Sequence, residues 1–393
     1  MEDFYMSKKE KFAYRKRIKL RYDRGSKEEK SVILEEFCKV CDYNRKYAIR
    51  LLNGPFVWDV RKPGRASKYT EPKFLETLEQ LWLDTERLCS KKLRRVIPDW
   101  LKFYEQEHGI LREDIKQKLL IISPATIDRV LKKIKARYGR GRSGTKPGTL
   151  LRTQIPIRTD FWDVTIPGYL EADTVAHCGM SLAGDFVWSL TITDIFSGWT
   201  ECRAVWNKGA FGVIEQIKDI EKSLHFPILA FDSDNGSEFL NTHLVRYFCE
   251  RKKVVPFTRS RPYHKNDNAH VEQKNWSHVR QLLGYTRLYN PDSLDTINHL
   301  YKNFWCTYQN HFIPTFKLQE KYKIKSRYFK TFEELKTPYQ RLIESNHISS
   351  SKKQELIKFH EALNPYSLKR EKERLLKLIF NLNSDTLLRR FRR

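Results

Sequence analysis

The chain has 393 residues, room for roughly two to four domains, with 74 Lys and Arg against 48 Asp and Glu, a formal charge of +26. Hydrophobic content of 40% and aromatic content of 13% are too high for a disordered basic tail, so the cations belong to folded surface and point to an acidic partner, nucleic acid first. No apolar run is long enough to span a membrane, the first residues lack a signal-peptide pattern, and seven scattered cysteines argue against a disulfide framework, so a reducing cytoplasm is expected.

The N-terminal part reads as helical. In residues 31–53, Val32, Ile33, Glu36 and Phe37 start a helix, Val40-Cys41-Asp42 breaks it, and a second helix over 44–52 sets Tyr47, Ala48 and Leu51 on its apolar side before Gly54-Pro55. Two short helices and a tight turn suit a helix-turn-helix, whose second helix presents Asn44, Arg45, Lys46 and Arg50 to a major groove. Cys38 and Cys41 form a lone CxxC; no His precedes His108, so both read as apolar residues of this motif rather than zinc ligands.

A second motif follows. Residues 113–120 read as a helix, Ile121-Ile122 as a turn, and Ser123-Pro124 as the N-cap and first position of a basic helix over 125–137. That helix carries Arg129, Lys132, Lys133, Lys135 and Arg137. Between Arg129 and Thr159 there are ten Lys or Arg and no acid, and Gly, Pro and Ser break regular structure around Arg140 and Arg142. This stretch reads as an extended basic linker, either a solvated tether or an arm along phosphates.

From Pro167 the pattern changes. Residues 169–175, 186–194 and 199–206 are rich in β-branched and aromatic residues and are separated by Gly184-Asp185 and Ser197-Gly198, as in an antiparallel meander. A helix over 210–224, a short apolar strand over 227–232, a helix over 238–252, a strand over 254–258 and a helix over 268–283 follow. The order βββ-α-β-α-β-α implies a mixed sheet with helices on its faces. From about Phe316 the chain reads as helical and basic, and it ends in an arginine-rich tail. The expected division is a helix-turn-helix domain over 1–70, a second over 71–138, a linker over 139–164, an α/β core over 165–315 and a C-terminal helical region over 316–393.

Three carboxylates stand out. Asp173 sits inside an apolar strand, on one face with Glu171, with Ala172 and Thr174 on the other. Asp232 and Asp234 follow the apolar strand, at a turn through Asn235-Gly236. Glu272 lies on the late helix, on the face expected to pack toward the sheet, one turn before Asn275 and Trp276. Each alone fits an ordinary paired or turn carboxylate. Together, acids from distant chain positions that converge call for divalent cations.

Residues 165–315 resemble the catalytic core of DDE transposases and retroviral integrases, a ribonuclease-H-like fold. The resemblance rests on Glu171-Ala172-Asp173-Thr174, on the run Thr193 to Trp199, on Asp234-Asn235-Gly236-Ser237-Glu238-Phe239 and on the run Asn266 to Asn275. The last run, after Arg261-Pro262-Tyr263-His264, is most similar to the integrase-type transposases of bacterial insertion sequences. The resemblance implies that Asp173, Asp234 and Glu272 are metal-binding catalytic acids that hold two Mg²⁺ or Mn²⁺ ions for DNA cleavage and strand transfer. It implies double-stranded DNA partners, the ends of a mobile element and its target, a homo-oligomer that holds two ends, and a place at the bacterial nucleoid. Asp232 competes with Asp234 and Asp267 with Glu272; the Asp-Asn-Gly run favours Asp234 and the helix face favours Glu272. Asp194 reads as structural and His177 as packed or solvated. Arg261, His264 and Lys265 are candidates for a phosphate-holding loop, and Lys274 and Arg280 for DNA-backbone contacts. Two other readings compete: a domesticated, catalytically idle DNA-binding regulator, against which the intact acids argue, and a nuclease of RNA–DNA hybrids, against which the helix-turn-helix pair argues.

Overall fold

Ser7 opens α1 (Lys8–Arg24) and Ser26 opens α2 (Lys27–Cys41), each with a reciprocal capping box to a Glu three residues on. Asp42 adopts a left-handed φ of 53° and ends α2, and Asn44 caps α3 (Arg45–Asn53) through the Lys46 amide. The three helices close on Ile18, Tyr22, Ile33, Leu34, Phe37, Cys41, Ala48 and Leu52. The expected two-helix motif is therefore the second half of a three-helix unit. The preceding α1 is almost wholly charged on its surface, which hides its apolar stripe from a reading by periodicity. The computed structural model describes residues 6–55, 68–138, 164–233, 238–239, 242–259, 269–324 and 327–390. The chain divides into two compact units, Met1–Lys68 and Tyr69–Arg393.

The second unit opens with α4 (Pro72–Asp84), α5 (Ser90–His108), α6 (Glu113–Ile121) and α7 (Pro124–Arg137). Ser123 caps α7 through the Thr126 amide, as its sequence position predicts. The meander follows as β1 (Tyr169–Ala176), β2 (Val187–Asp194) and β3 (Thr200–Trp206). Next come α8 (Ala210–Ser223), β4 (Ala230–Ser233), α9 (Thr242–Cys249) and β5 (Phe257–Arg259). These strands form a mixed sheet in the order β3-β2-β1-β4-β5, antiparallel through β1–β2–β3 and parallel through β1–β4–β5. The five strands thus make a central mixed sheet between helical layers.

Two helices follow the sheet. α10 covers 269–283 and passes from an α-helix (Ala269–Lys274) through π-turns (Asn275–Arg280) to a last turn (Gln281–Leu283). α11 covers 293–312 with a similar π-insert, Tyr301–Trp305.

Strand alternation divides the core. On one face Leu170, Ala172, Leu190 and Ile192 pack with Val213, Ile217, Leu244 and Phe248 of α8 and α9. On the other, Val175, Val187, Cys202 and Ala204 pack with Val279, Leu283, Ile297 and Trp305 of α10 and α11. That second core runs on without a break into Leu78, Leu93, Trp100, Ile115 and Leu131 of α4–α7. The segment 71–138, expected as a separate domain, thus shares the core of the sheet.

The C-terminal region also departs from its expected all-helical character. It begins with an antiparallel hairpin, β6 (Leu318–Ile324) and β7 (Arg327–Phe332), before α12 (Pro338–Glu344), α13 (Ser350–Ala362) and α14 (Pro365–Arg390). Tyr366, Leu375 and Ile379 of α14 join the second core. No helix among the described residues is long and apolar enough to cross a membrane.

Candidate active site

Asp173 lies on β1, the central strand, and is half-buried. Its Oδ1 accepts the Thr174 amide at 2.7 Å and its Oδ2 accepts the side-chain amide of Asn275 at 2.6 Å. Asn275 is on α10, three residues after Glu272, so this bond joins the strand of one candidate acid to the helix of another. A second bond set does the same two residues earlier. Glu171 is fully buried, and its Oε2 accepts the backbone N–H groups of His270 at 3.1 Å and Val271 at 3.0 Å. These amides belong to the first turn of α10, where N–H groups have no partner within the helix.

Burial pushes the Glu171 carboxyl up to about 8, and the charges of Asp232 and Glu272 add to the rise against the pull of the two amides. Glu171 therefore senses acids from two other elements. Asp232 is its partner in the parallel β1–β4 register; it is buried and accepts the Thr258 hydroxyl at 2.7 Å. The same register ends at Ala172↔Ser233, with Asp173 next along β1. Asp234 and Asp267 lie outside the described residues, as do Arg261, His264 and Lys265. Glu272 is exposed; the residues that α10 turns inward are Val271, Lys274, His278 and Val279. The expectation that Glu272 faces the sheet fails because the inward stripe, spaced as in an ordinary amphipathic helix, runs through Val271, Lys274 and His278 and leaves Glu272 at its edge. Among the described residues, no group of three or more His, Cys, Asp or Glu is placed to hold a metal ion.

The other expected residues divide. Asp194 is structural, as read: its carboxylate accepts the Gly168 amide at 2.8 Å, the Ser197 amide at 2.8 Å and the Ser197 hydroxyl. Gly168 has φ +118°, and a Cβ there would meet the Pro227 carbonyl at 2.5 Å, so only glycine lets the β1 and β4 entrances approach. His177 is fully buried in a chain with Ser189 and Tyr301, and burial lowers it to about 3.

Lys274 is the clearest correction. Expected on a DNA backbone, it is 7% exposed and donates to the Gly198 carbonyl at 2.9 Å; burial, with Lys92 and Arg341 near, lowers it to about 7. Arg280 is half-buried, stacked 4.7 Å from the Tyr285 ring.

Asn44 is spent as the α3 cap, while Arg45, Lys46 and Arg50 are exposed, Arg50 stacking on Tyr47 at 5.0 Å. Arg129, Lys132, Lys133 and Arg137 are exposed along α7, and Arg140 and Arg142 lie outside the described residues. Reasoning from sequence passed over two positions. Glu171 was signalled only by the strand period that pairs it with Asp173. Glu238 is buried on the opposite side of β1, where it accepts the Thr174 hydroxyl at 2.7 Å and pairs with Lys208 at 2.8 Å.

No family model matches the chain. The chain is 40% identical over 321 residues to a protein of Sinorhizobium fredii (strain NBRC 101917 / NGR234) named uncharacterized protein y4rM, covering 79% of this chain and 89% of that one. Among solved structures it is similar to the catalytic core domain of BIV integrase, at 17% identity and a TM-score of 0.30, over 46% of this chain and 96% of that one. It is also similar to the HTLV-2 integrase catalytic core domain in complex with magnesium, at 17% identity and a TM-score of 0.28, over 38% of this chain and 91% of that one.

Proposed function

The chain belongs to the same family as the Sinorhizobium fredii protein y4rM, and we propose that it is a DNA transposase, a polynucleotidyl transferase that binds the ends of a mobile element and joins their 3′-hydroxyls to target DNA. One observation supports the reading: Asn275, on the helix that bears Glu272, donates to the Asp173 carboxylate of β1, beside a buried Glu171 whose carboxyl is raised by burial and by the charges of Asp232 and Glu272. Carboxyls raised by burial and by neighbouring acids cluster at functional sites.

In this reading Asp173, Asp234 and Glu272 are the catalytic acids. Mg²⁺ or Mn²⁺, two ions per site, supply activation of the attacking hydroxyl and stabilisation of the leaving oxygen when bound. The chain's own groups do the positioning. Asn275 fixes the Asp173 carboxylate by donating to Oδ2 and leaves its orientation set from both oxygens. Glu171, its carboxyl raised by burial, holds the first turn of α10 against β1 and so fixes where Glu272 starts from. The exposed cations of α3 and α7 are the proposed duplex contacts, and Lys274 is not among them. A homo-oligomer belongs to the reading because two element ends react in one complex.

The test is strand transfer on oligonucleotides bearing the element's ends. Asp173→Asn, Asp234→Asn and Glu272→Gln are each expected to abolish joining, by at least about a hundredfold, while duplex binding stays within about twofold of wild type. Joining at the wild-type rate by any of the three ends that residue's assignment. If all three join normally, the transferase reading falls.

A further inference from the structure

The hairpin β6–β7 pairs with no other strand among the described residues. Its register sets Tyr322 opposite Phe329, Lys321 opposite Lys330 and Lys323 opposite Tyr328. Tyr322 and Phe329 stack with ring centroids 5.6 Å apart and planes 12° from parallel. Yet Tyr322, Tyr328, Phe329 and Phe332 are each more than two-fifths exposed. Between residues 317 and 330 the sequence has six Lys or Arg and a single acid, Glu320. An isolated two-stranded hairpin is marginal in water, and like charges placed directly opposite weaken it further. Exposed rings in a strongly basic stretch of sequence are costs that a polyanion with flat apolar surfaces relieves.

The base of this ribbon is held firmly. The Thr315 amide donates to the Lys336 carbonyl at 2.9 Å, and the Glu333 amide to the Lys317 carbonyl at 2.9 Å. Arg341 of α12, buried, donates to the Thr315 carbonyl at 2.9 Å and hydroxyl at 2.6 Å, and to the Ser197 carbonyl at 3.3 Å. The next residue of that turn, Gly198, accepts Lys274 of α10. One buried turn thus receives a cation from the ribbon's base and another from the helix that carries Glu272.

We propose that β6–β7 is a DNA-binding arm that enters a groove of duplex DNA, its lysines on phosphates and its rings against the groove, tied to the candidate active site through the Ser197–Gly198 turn. A two-stranded ribbon fits the major groove of B-form DNA. The inference rests on the proposed transferase function for the identity of its partner; the juxtaposition of rings and lysines stands apart from catalysis.

The full chain with Tyr322→benzoylphenylalanine is irradiated with a labelled duplex, with Ile110→benzoylphenylalanine, 89% exposed on the loop before α6, as the control. Crosslinking at 322 and not at 110 is expected. In parallel, Lys330→Glu and the pair Tyr322→Ala with Phe329→Ala are titrated with duplex by fluorescence anisotropy across a salt series. Each is expected to weaken binding about fivefold or more, and Lys330→Glu to lower the salt slope by about one. No crosslink at 322, wild-type affinity in both variants, or a loss confined to single-stranded DNA overturns the proposal. Glu272→Gln separates the two readings: if it joins DNA normally while the ribbon variants lose duplex, the arm stands and the catalytic assignment of Glu272 falls.

Discussion

Glu171 is a carboxyl with few of a carboxylate's usual surroundings. Its Oε2 takes two helix-start amides, and its Oε1 is buried without a hydrogen-bond partner among the described residues. A neutral carboxyl meets this environment better than an anion does, which agrees with its rise to about 8. The side chain therefore acts as an acceptor, and an amide can replace it. Glu171→Gln is expected to keep both bonds to α10 and to unfold in urea within about 1 kcal/mol of wild type. Glu171→Ala strands the buried Val271 N–H and removes the acceptor of the His270 N–H, and is expected to lose about 1–3 kcal/mol, chiefly for the buried group. Equal losses in the two variants would mean that volume, not hydrogen bonding, is what Glu171 supplies.

At the scale of elements, the contact of α11 with α12 and α13 is built around histidines. His311, 2% exposed, lies with its Nδ1 3.1 Å from the Nδ1 of His360, and its ring packs against Tyr339 and Trp199. Burial lowers His311 to about 3, with the charges of His360 and His225 adding to the fall, and burial lowers His225 to about 4. In the unfolded chain these rings take up a proton near pH 6.5, about their ordinary value. In the fold they stay neutral until far lower pH. Stability is therefore fully present above about pH 6.5 and is lost as pH falls toward about 3. The thermal midpoint is expected to drop between pH 7 and pH 5, and His311→Phe to flatten that drop; an unchanged slope would place the acid sensitivity elsewhere.

The same scale explains what α10 hid. Its inward stripe, Val271, Lys274, His278 and Val279, keeps the ordinary helical spacing, but a face centred on Glu272, with Asn275, Trp276, Val279 and Arg280 beyond it, sets Lys274 outward, the reverse of the fold. The hairpin hid for another reason. Its lysines and aromatics alternate without the Asn-Gly or Asp-Gly turn that marks hairpins, and its register exists only once the two strands pair.

For the whole molecule, the +26 charge is the dominant fact. Exposed cations on α3 and α7 make it a surface property in both units. Duplex affinity is expected to fall steeply with salt, by about a thousandfold or more between 50 and 200 mM if roughly six or more phosphates are neutralised. A nearly flat dependence, read by the same anisotropy titration, would remove DNA as the reason for the charge.

The sequence alone determined what local chemistry specifies. Enrichment in β-branched and aromatic residues between turn signals marked β1, β2 and β3 to within a residue or two, Ser123-Pro124 marked the start of α7, and strand alternation set Glu171 and Asp173 on one face of β1. These signals depend on side chains within a few positions of one another. Only the tertiary structure decided that α4–α7 share a core with the sheet, that Lys274 is inside, and that Asn275 reaches Asp173. Those outcomes depend on which surface each element meets. That partner lies a hundred residues away for Asp173 and Asn275, where no local periodicity reports it.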